Sequence, residues 1–330
     1  MDIIKNDVLL TFLEESESNS KENIQLEISK INYLNNNTSN IYNIYHKELN
    51  LDYICKIFDI TKNDTKKYLG ENEFYFYQNI FNNVKNIINI PIFYGFIKNR
   101  NYKIYGLLMQ KLNNINIVNI DNINKIINHI SKLHIFYWNN FDGNVFCHHS
   151  DFIIETKVKA EAKYYFDHIP HVFEDHLFNL FNQLFSKKIE NINNNKDKNN
   201  NKTFIHGSLK IENIMLVEEN NDIIPYFIDW GLYKIGYGIE DILFLLIFSL
   251  NENLFQEHIE HLLQSYFIKI NQSCEYKYED FIIHIKLSLL DFILHAIIGL
   301  FIKNHFSKLK NDKLNIYLKN YLHLIDKYNI

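Results

Sequence analysis

Between Thr203 and Leu250 the chain carries a pattern that few folds accommodate, beginning TFIHGSLKIENIMLVEENNDIIPYFIDWG. It reads as a short apolar strand, a polar turn and a second strand over Ile214–Glu219. An Asn220-Asn221-Asp222 turn follows, then a third apolar strand that ends in Asp229-Trp230-Gly231. Runs of β-branched and aromatic residues bounded by Asn, Asp and Gly are hairpin sequence. Antiparallel pairing of Ile214–Glu219 with Ile223–Ile228 would set Asn213 and Asp229 side by side at the open end. An amide oxygen beside a carboxylate is a hard-oxygen pair suited to a magnesium ion that carries phosphate.

The rest of the chain divides around this stretch. Residues 1–25 read as a helical or polar lead-in. Short strands are expected at Leu26–Ile31, Ile41–His46, Asp52–Phe58, Ile92–Ile97 and Lys103–Gln110. Phe74, Tyr77, Phe81 and Val84 share one helical face, with Glu73 at the start of that helix. A glutamate in a first turn can simply complement the helix dipole. Lys56 sits inside the apolar run DYICKIF. It reads either as an edge-strand solubiliser or as a lysine turned inward to hold an anion.

Beyond MQKLNNINIVNI, a candidate hinge, the pattern becomes helical. Ile123, Ile126, Ile127, Ile130 and Leu133 form one face, and further helices are expected near 151–168, 173–190, 239–250, 254–270, 279–303 and 312–328. The Asn/Lys run 191–202 is a solvated loop. The expected fold is α+β and two-lobed: a small antiparallel-sheet lobe at 26–112 and a larger, mainly helical lobe at 113–330 that carries the hairpin 203–231.

A net charge of −5 argues against a general nucleic-acid binder. Three isolated cysteines (Cys55, Cys147, Cys274) make neither a disulfide framework nor a metal knuckle, which points to a reducing, cytoplasmic setting. The N-terminal stretch turns acidic without a small-residue cleavage site. The most apolar helix, Leu287–Ile302, is interrupted by Asp291 and His295 and is shorter than the roughly 20 residues a membrane span needs. The run Cys147-His148-His149-Ser150-Asp151 is too contiguous for its side chains to converge readily on one ion. His168, His171 and His176 flank a break at Pro170 and read as surface and cap residues. The aromatic face at 164–185, with Trp138 and Trp230, reads as core, or else as a cage for an ammonium group.

HGSLKIENIML followed by FIDWGLYKIGYGIEDI resembles the aminoglycoside phosphotransferase and choline/ethanolamine kinase group, within the protein-kinase-like fold. LNNNTSNIYNIY, CKIF, NEFYFY, LLMQKL and KLHIFYW resemble, in order, the group's early loop, lysine strand, glutamate helix, hinge and Leu-His helix. The resemblance spans about 26–250 and is specific in 203–241. It implies ATP and Mg²⁺ as cofactors, with Lys56 on the α/β-phosphates, Glu73 paired to it and Asn40 at the phosphate-covering turn. It further implies Asn213 and Asp229 as metal ligands, Asp241 as a brace for the catalytic loop and His206 as a structural histidine. Lys210 would stabilise transferred charge.

Where the group carries its catalytic aspartate this chain has Ser208, whose hydroxyl is no base at neutral pH. The first glycine is Gly70, so no Gly-rich loop covers the phosphates. Three functions follow from the resemblance. The leading one is transfer of the ATP γ-phosphate to a hydroxyl of a small molecule, weakened by Ser208. The others are a catalytically inactive pseudokinase that binds nucleotide or scaffolds, and a divergent protein kinase resting on the LK-x-EN match. The short Asp229–Asp241 interval leaves little room for a peptide-docking segment.

Overall fold

The structure, a computed structural model, describes residues 25–31, 39–47, 49–58, 64–98, 104–115, 117–140, 201–292 and 312–330, with 179–180, 182–184 and 186–187. The lead-in up to residue 24, the Cys147–Asp151 run, His168, His171, His176, most of the 164–185 face and the loop at 191–200 lie outside the described residues.

The chain forms two compact units, one of residues 1–116 with Ile214–Leu232 and one of residues 117–213 with Tyr233–Ile330. Assigned by contacts, the hairpin therefore belongs with the N-terminal sheet.

In the first unit, β1 (Leu26–Lys30), β2 (Ser39–His46), β3 (Leu51–Phe58), β4 (Phe93–Lys98) and β5 (Ile104–Gln110) form an antiparallel sheet in the order β1-β2-β3-β5-β4. Alternation sends Tyr53, Cys55 and Ile57 into a cluster with Ile44, Ile97 and Leu108. β3 is an interior strand, with Lys56 opposite Ile41 on one side and Leu107 on the other. The edge-solubiliser reading of Lys56 is thereby overturned.

Helix α1 (Asp64–Tyr75) begins well before the apolar periodicity and runs on through a π turn at Phe76–Ile80 into one further turn, Phe81–Val84. Glu73 thus lies in the last α turn and not the first, so it cannot serve the helix N-terminus. The polar segment DTKKYLG, with a glycine inside it, hides those first turns from a periodicity reading. Phe74, Tyr77, Phe81 and Val84 are all buried, as the spacing predicts.

The hairpin pairs β7 (Ile214–Glu219) with β8 (Asp222–Phe227), Ile214 opposite Phe227. Its turn residues Asn220 and Asn221 both have positive φ, 51° and 64°. That is the primed turn whose twist matches a two-residue hairpin, and asparagine is among the few residues to tolerate it. The expected hinge segment fastens this hairpin: Asn114 Oδ1 accepts from Leu216 N at 2.9 Å, and Ile115 N donates to Leu216 O at 2.9 Å.

In the second unit, α2 (Ile120–Phe136) starts at Asn119, whose side chain accepts from Asn122 N at 2.8 Å. The five apolar residues of its expected face are fully buried. β6 (Thr203–Ile205) pairs with β9 (Lys234–Gly236), so the opening strand of the central stretch is no part of the hairpin. Helices α3 (Gly238–Ser249), α4 (Glu252–Asn271), α5 (Tyr278–Phe292) and α6 (Asp312–Lys327) complete the described unit. α3 is apolar on nearly all sides, as a helix at the centre of a helical layer must be.

Candidate functional site

The first unit builds a charge cluster from three distant pieces of sequence. Lys56 Nζ lies 2.7 Å from Glu73 Oε2 and 2.6 Å from Asp229 Oδ1. Lys56 and Glu73 are buried, whereas the Asp229 side chain is 39% exposed. One ammonium thus sits between an enclosed carboxylate and one open to solvent. Burial alone would lower the Lys56 pKa, but the charges of Asp229 and Glu73 outweigh it and hold the amine well above its ordinary range. Burial pushes Glu73 up to about 7, with Asp229 adding to the rise and Lys56 opposing it. The two carboxylates thus raise the lysine, while burial, helped by the second carboxylate, raises Glu73.

The Asp229 backbone has φ 66°, a left-handed conformation that costs a non-glycine residue on the order of 1 kcal/mol. Helix α1 holds the segment in that state. Asn72 Nδ2 donates to Gly231 O at 2.8 Å, and the Phe76 and Trp230 rings stack at 4.5 Å with 2° between planes. Asn72 and Phe76 lie one turn apart on one helix face, which is why a single helix can grip both points. Trp230 is fully buried and belongs to the core, not to a ligand cage.

The second unit shapes the turn after β6. Gly207 has φ 76°, and Asp241 Oδ2 and Oδ1 accept from His206 N at 2.7 Å and Gly207 N at 2.9 Å. Asp241 lies in the first turn of α3 but does not cap it. Instead Glu240 closes that terminus, accepting from Tyr237 N at 2.9 Å, and the Asp241 carboxylate reaches back to the loop. Downstream, Asn213 Nδ2 donates to Ser208 O at 2.8 Å and approaches Ser208 Oγ at 3.3 Å. With its amide nitrogen so committed, the Asn213 Oδ1 is the atom left for a cation. Lys210 is half-buried and has no ion-pair partner among the described residues. Glu212 is exposed and lies 3.9 Å from Lys313. His206 is fully buried. Asn40 lies within β2 opposite Ile57, and not in a turn.

Among the described residues no group of three or more His, Cys, Asp or Glu side chains has metal-holding geometry. Asp229 would hold a magnesium ion only with other oxygen ligands, such as phosphate and water, completing its shell. None of the helices among the described residues is long and apolar enough to cross a membrane.

A profile of the ecdysteroid kinase-like family matches residues 128–277, from α2 through α4. Among solved structures, Plasmodium vivax ethanolamine kinase superposes with a TM-score of 0.54 at 14% identity, over 97% of this chain and 87% of that one. The chain has a two-lobed kinase-like fold. Spectinomycin phosphotransferase in complex with ADP and spectinomycin matches with a TM-score of 0.53 at 9% identity, over 93% of this chain and 94% of that one. The microcompartment-associated aminopropanol kinase matches at 0.53 and 10% identity, over 98% and 96%. At such identities the likeness is one of fold. No curated protein sequence matches the chain. The α+β, two-lobed expectation is borne out by these superpositions and by the antiparallel sheet and helical layer of the two units.

Proposed function

We propose that the chain is an ATP- and magnesium-dependent phosphotransferase that acts on a hydroxyl group of a small molecule. The observation that carries this reading is the Lys56 ammonium held between Glu73 and Asp229, with Asp229 strained and partly open to solvent. A lysine aligned by a buried glutamate is a built anion site, and polyphosphate oxygens would take the place that Asp229 occupies on its ammonium. Asp229 would then hold magnesium, which supplies charge neutralisation at the phosphates, with Asn213 the second ligand that the resemblance implies. Lys210 would face the transferred group. The acceptor oxygen forms a bond to the γ-phosphorus as the bond to the ADP oxygen breaks, and the hydroxyl proton passes to a phosphate oxygen or to water. Ser208 can orient the acceptor hydroxyl but cannot take its proton at neutral pH. The absence of that help costs about 10²–10⁴-fold.

The family profile and two of the superposed structures support this reading, since those proteins are named as kinases of small molecules. The identity of the acceptor is part of the proposal only as a class. A second reading is a nucleotide-binding module without turnover: Ser208 stands where the resemblance implies the base, and the nearby Glu212 is exposed and paired with Lys313. Turnover of Mg-ATP with small amino alcohols as acceptors separates the two, with Asp229→Ala as the blank. Native turnover above that blank, raised by Ser208→Asp, supports the enzyme. Turnover confined to Ser208→Asp supports the module, and no turnover in either form together with no Mg-ATP binding removes both.

A further inference from the structure

A chain of buried polar groups in the second unit goes beyond the residues so far assigned. Asp241 Oδ2, besides accepting from His206 N, faces His134 Nε2 at 3.3 Å, and His134 Nδ1 faces the Tyr266 hydroxyl at 3.0 Å. None of His134, Asp241 and Tyr266 is more than 1% exposed. Thr203 Oγ1 donates to His134 O at 2.8 Å, which joins α2 to β6 at the same level. The space for this meeting is made by Gly238: a Cβ there would lie 2.2 Å from the Tyr266 hydroxyl and 2.8 Å from His134 Nδ1. Any side chain at 238 would split the network.

The hydrogen bonds settle one another's direction. The Asp241 carboxylate can only accept, so His134 Nε2 carries the proton and donates to it. With the proton on Nε2, Nδ1 accepts from the Tyr266 hydroxyl, whose proton burial holds in place. Thus Asp241 receives three N–H groups: those of His206, Gly207 and His134. Two of them shape the turn that leads into Ser208, and the third orients the carboxylate that does the shaping.

We infer that His134 is a positioning residue for the loop at 206–208, acting through Asp241 and held in the Nε2–H tautomer by Tyr266. This rests on the phosphotransfer reading only for its effect on turnover. The geometric claim about the loop stands apart from it. A packing role alone would be indifferent to which ring nitrogen carries the proton, whereas positioning requires Nε2–H.

Three measurements on the full chain test this. Imidazole nitrogen shifts in the native protein should report the Nε2–H tautomer for His134. Amide exchange at His206 and Gly207 should quicken by about tenfold or more in Tyr266→Phe and His134→Ala, while amides in the middle of α2 keep their rates. His134→Gln, whose amide nitrogen falls near the Nε2 position, should restore much of that protection. With Mg-ATP as the probe, kcat should fall by about 10²-fold in His134→Ala with Kd for Mg-ATP unchanged within about twofold. An Nδ1–H tautomer, or unchanged exchange at His206 and Gly207 in Tyr266→Phe, would overturn the inference. Tyr266→Phe keeps ring volume, and the tautomer is read on the native chain, so a His134→Ala protein that fails to fold leaves both readouts intact. Lack of native turnover would count against the phosphotransfer reading while exchange and tautomer still decide the role of His134.

Discussion

Replacing Lys56 by methionine keeps the length of the side chain and removes the one cation between Glu73 and Asp229. The Glu73 side chain is 1% exposed, and breaking a buried ion pair by deleting one partner costs about 3–5 kcal/mol. Asp229, 39% exposed, adds little because water screens it. Glu73 has an escape in protonation, for burial already holds its pKa at about 7. The sign follows from linkage. A carboxyl whose folded pKa lies above its unfolded value contributes stability that is fully present below about 4.5 and is lost as pH rises through about 7. Without Lys56 the Glu73 pKa rises further, so the variant should lose about 3 kcal/mol relative to the native chain at pH 8 and distinctly less at pH 5.5. For 330 residues unfolding as one unit, 3 kcal/mol corresponds to a Tm lowered by about 4 °C. Urea and thermal unfolding at the two pH values measure this, with Lys56→Met/Glu73→Gln as the control that should recover most of the loss at pH 8. A deficit equal at both pH values, or a double variant as unstable as the single one, would refute the reasoning.

Trp230→Leu removes the stacked ring against Phe76 and the indole donor to Phe227 O at 3.2 Å, and should cost about 3 kcal/mol in chemical unfolding. His284 is pulled down to about 4 mainly by burial, with Lys202 lowering it further and Asp280 opposing. Its contribution is therefore present above about 6.5 and lost as pH falls through about 4. His284→Phe, which keeps an aromatic ring against Tyr237, should flatten the stability profile over that window. Asn221→Gly removes the cost of φ 64° at a turn position and should leave stability unchanged or raise it by up to about 1 kcal/mol in the same assay, whereas Asn221→Val should lower it.

What could be read from residues alone follows the reach of local rules. The hairpin was legible because β-branched runs flank the Asn220-Asn221-Asp222 turn, and α2 because its apolar residues repeat at helical spacing. Lys56 was not legible as a buried cation, since a lysine in an apolar run looks the same on an edge strand and an interior one. Only the order β2-β3-β5 decides it. Glu73 was misplaced within its helix because the first turns of α1 carry no apolar stripe. The Asp229 conformation, the grip of Asn72 and Phe76 on the segment after it, and the His134–Asp241–Tyr266 chain join residues far apart in sequence. No periodicity announces such contacts. The Leu-His pair in KLHIFYW marked the helix but not the partner of its histidine.

The most direct test of the proposed function is calorimetric titration of ATP with and without magnesium into the native chain, Lys56→Met and Asp229→Ala. Saturable one-to-one binding is expected for the native chain, tightened by magnesium. Lys56→Met should weaken binding in both conditions, and Asp229→Ala should abolish the effect of magnesium. No binding by the native chain, or binding that neither substitution alters, would contradict a nucleotide site built on Lys56, Glu73 and Asp229.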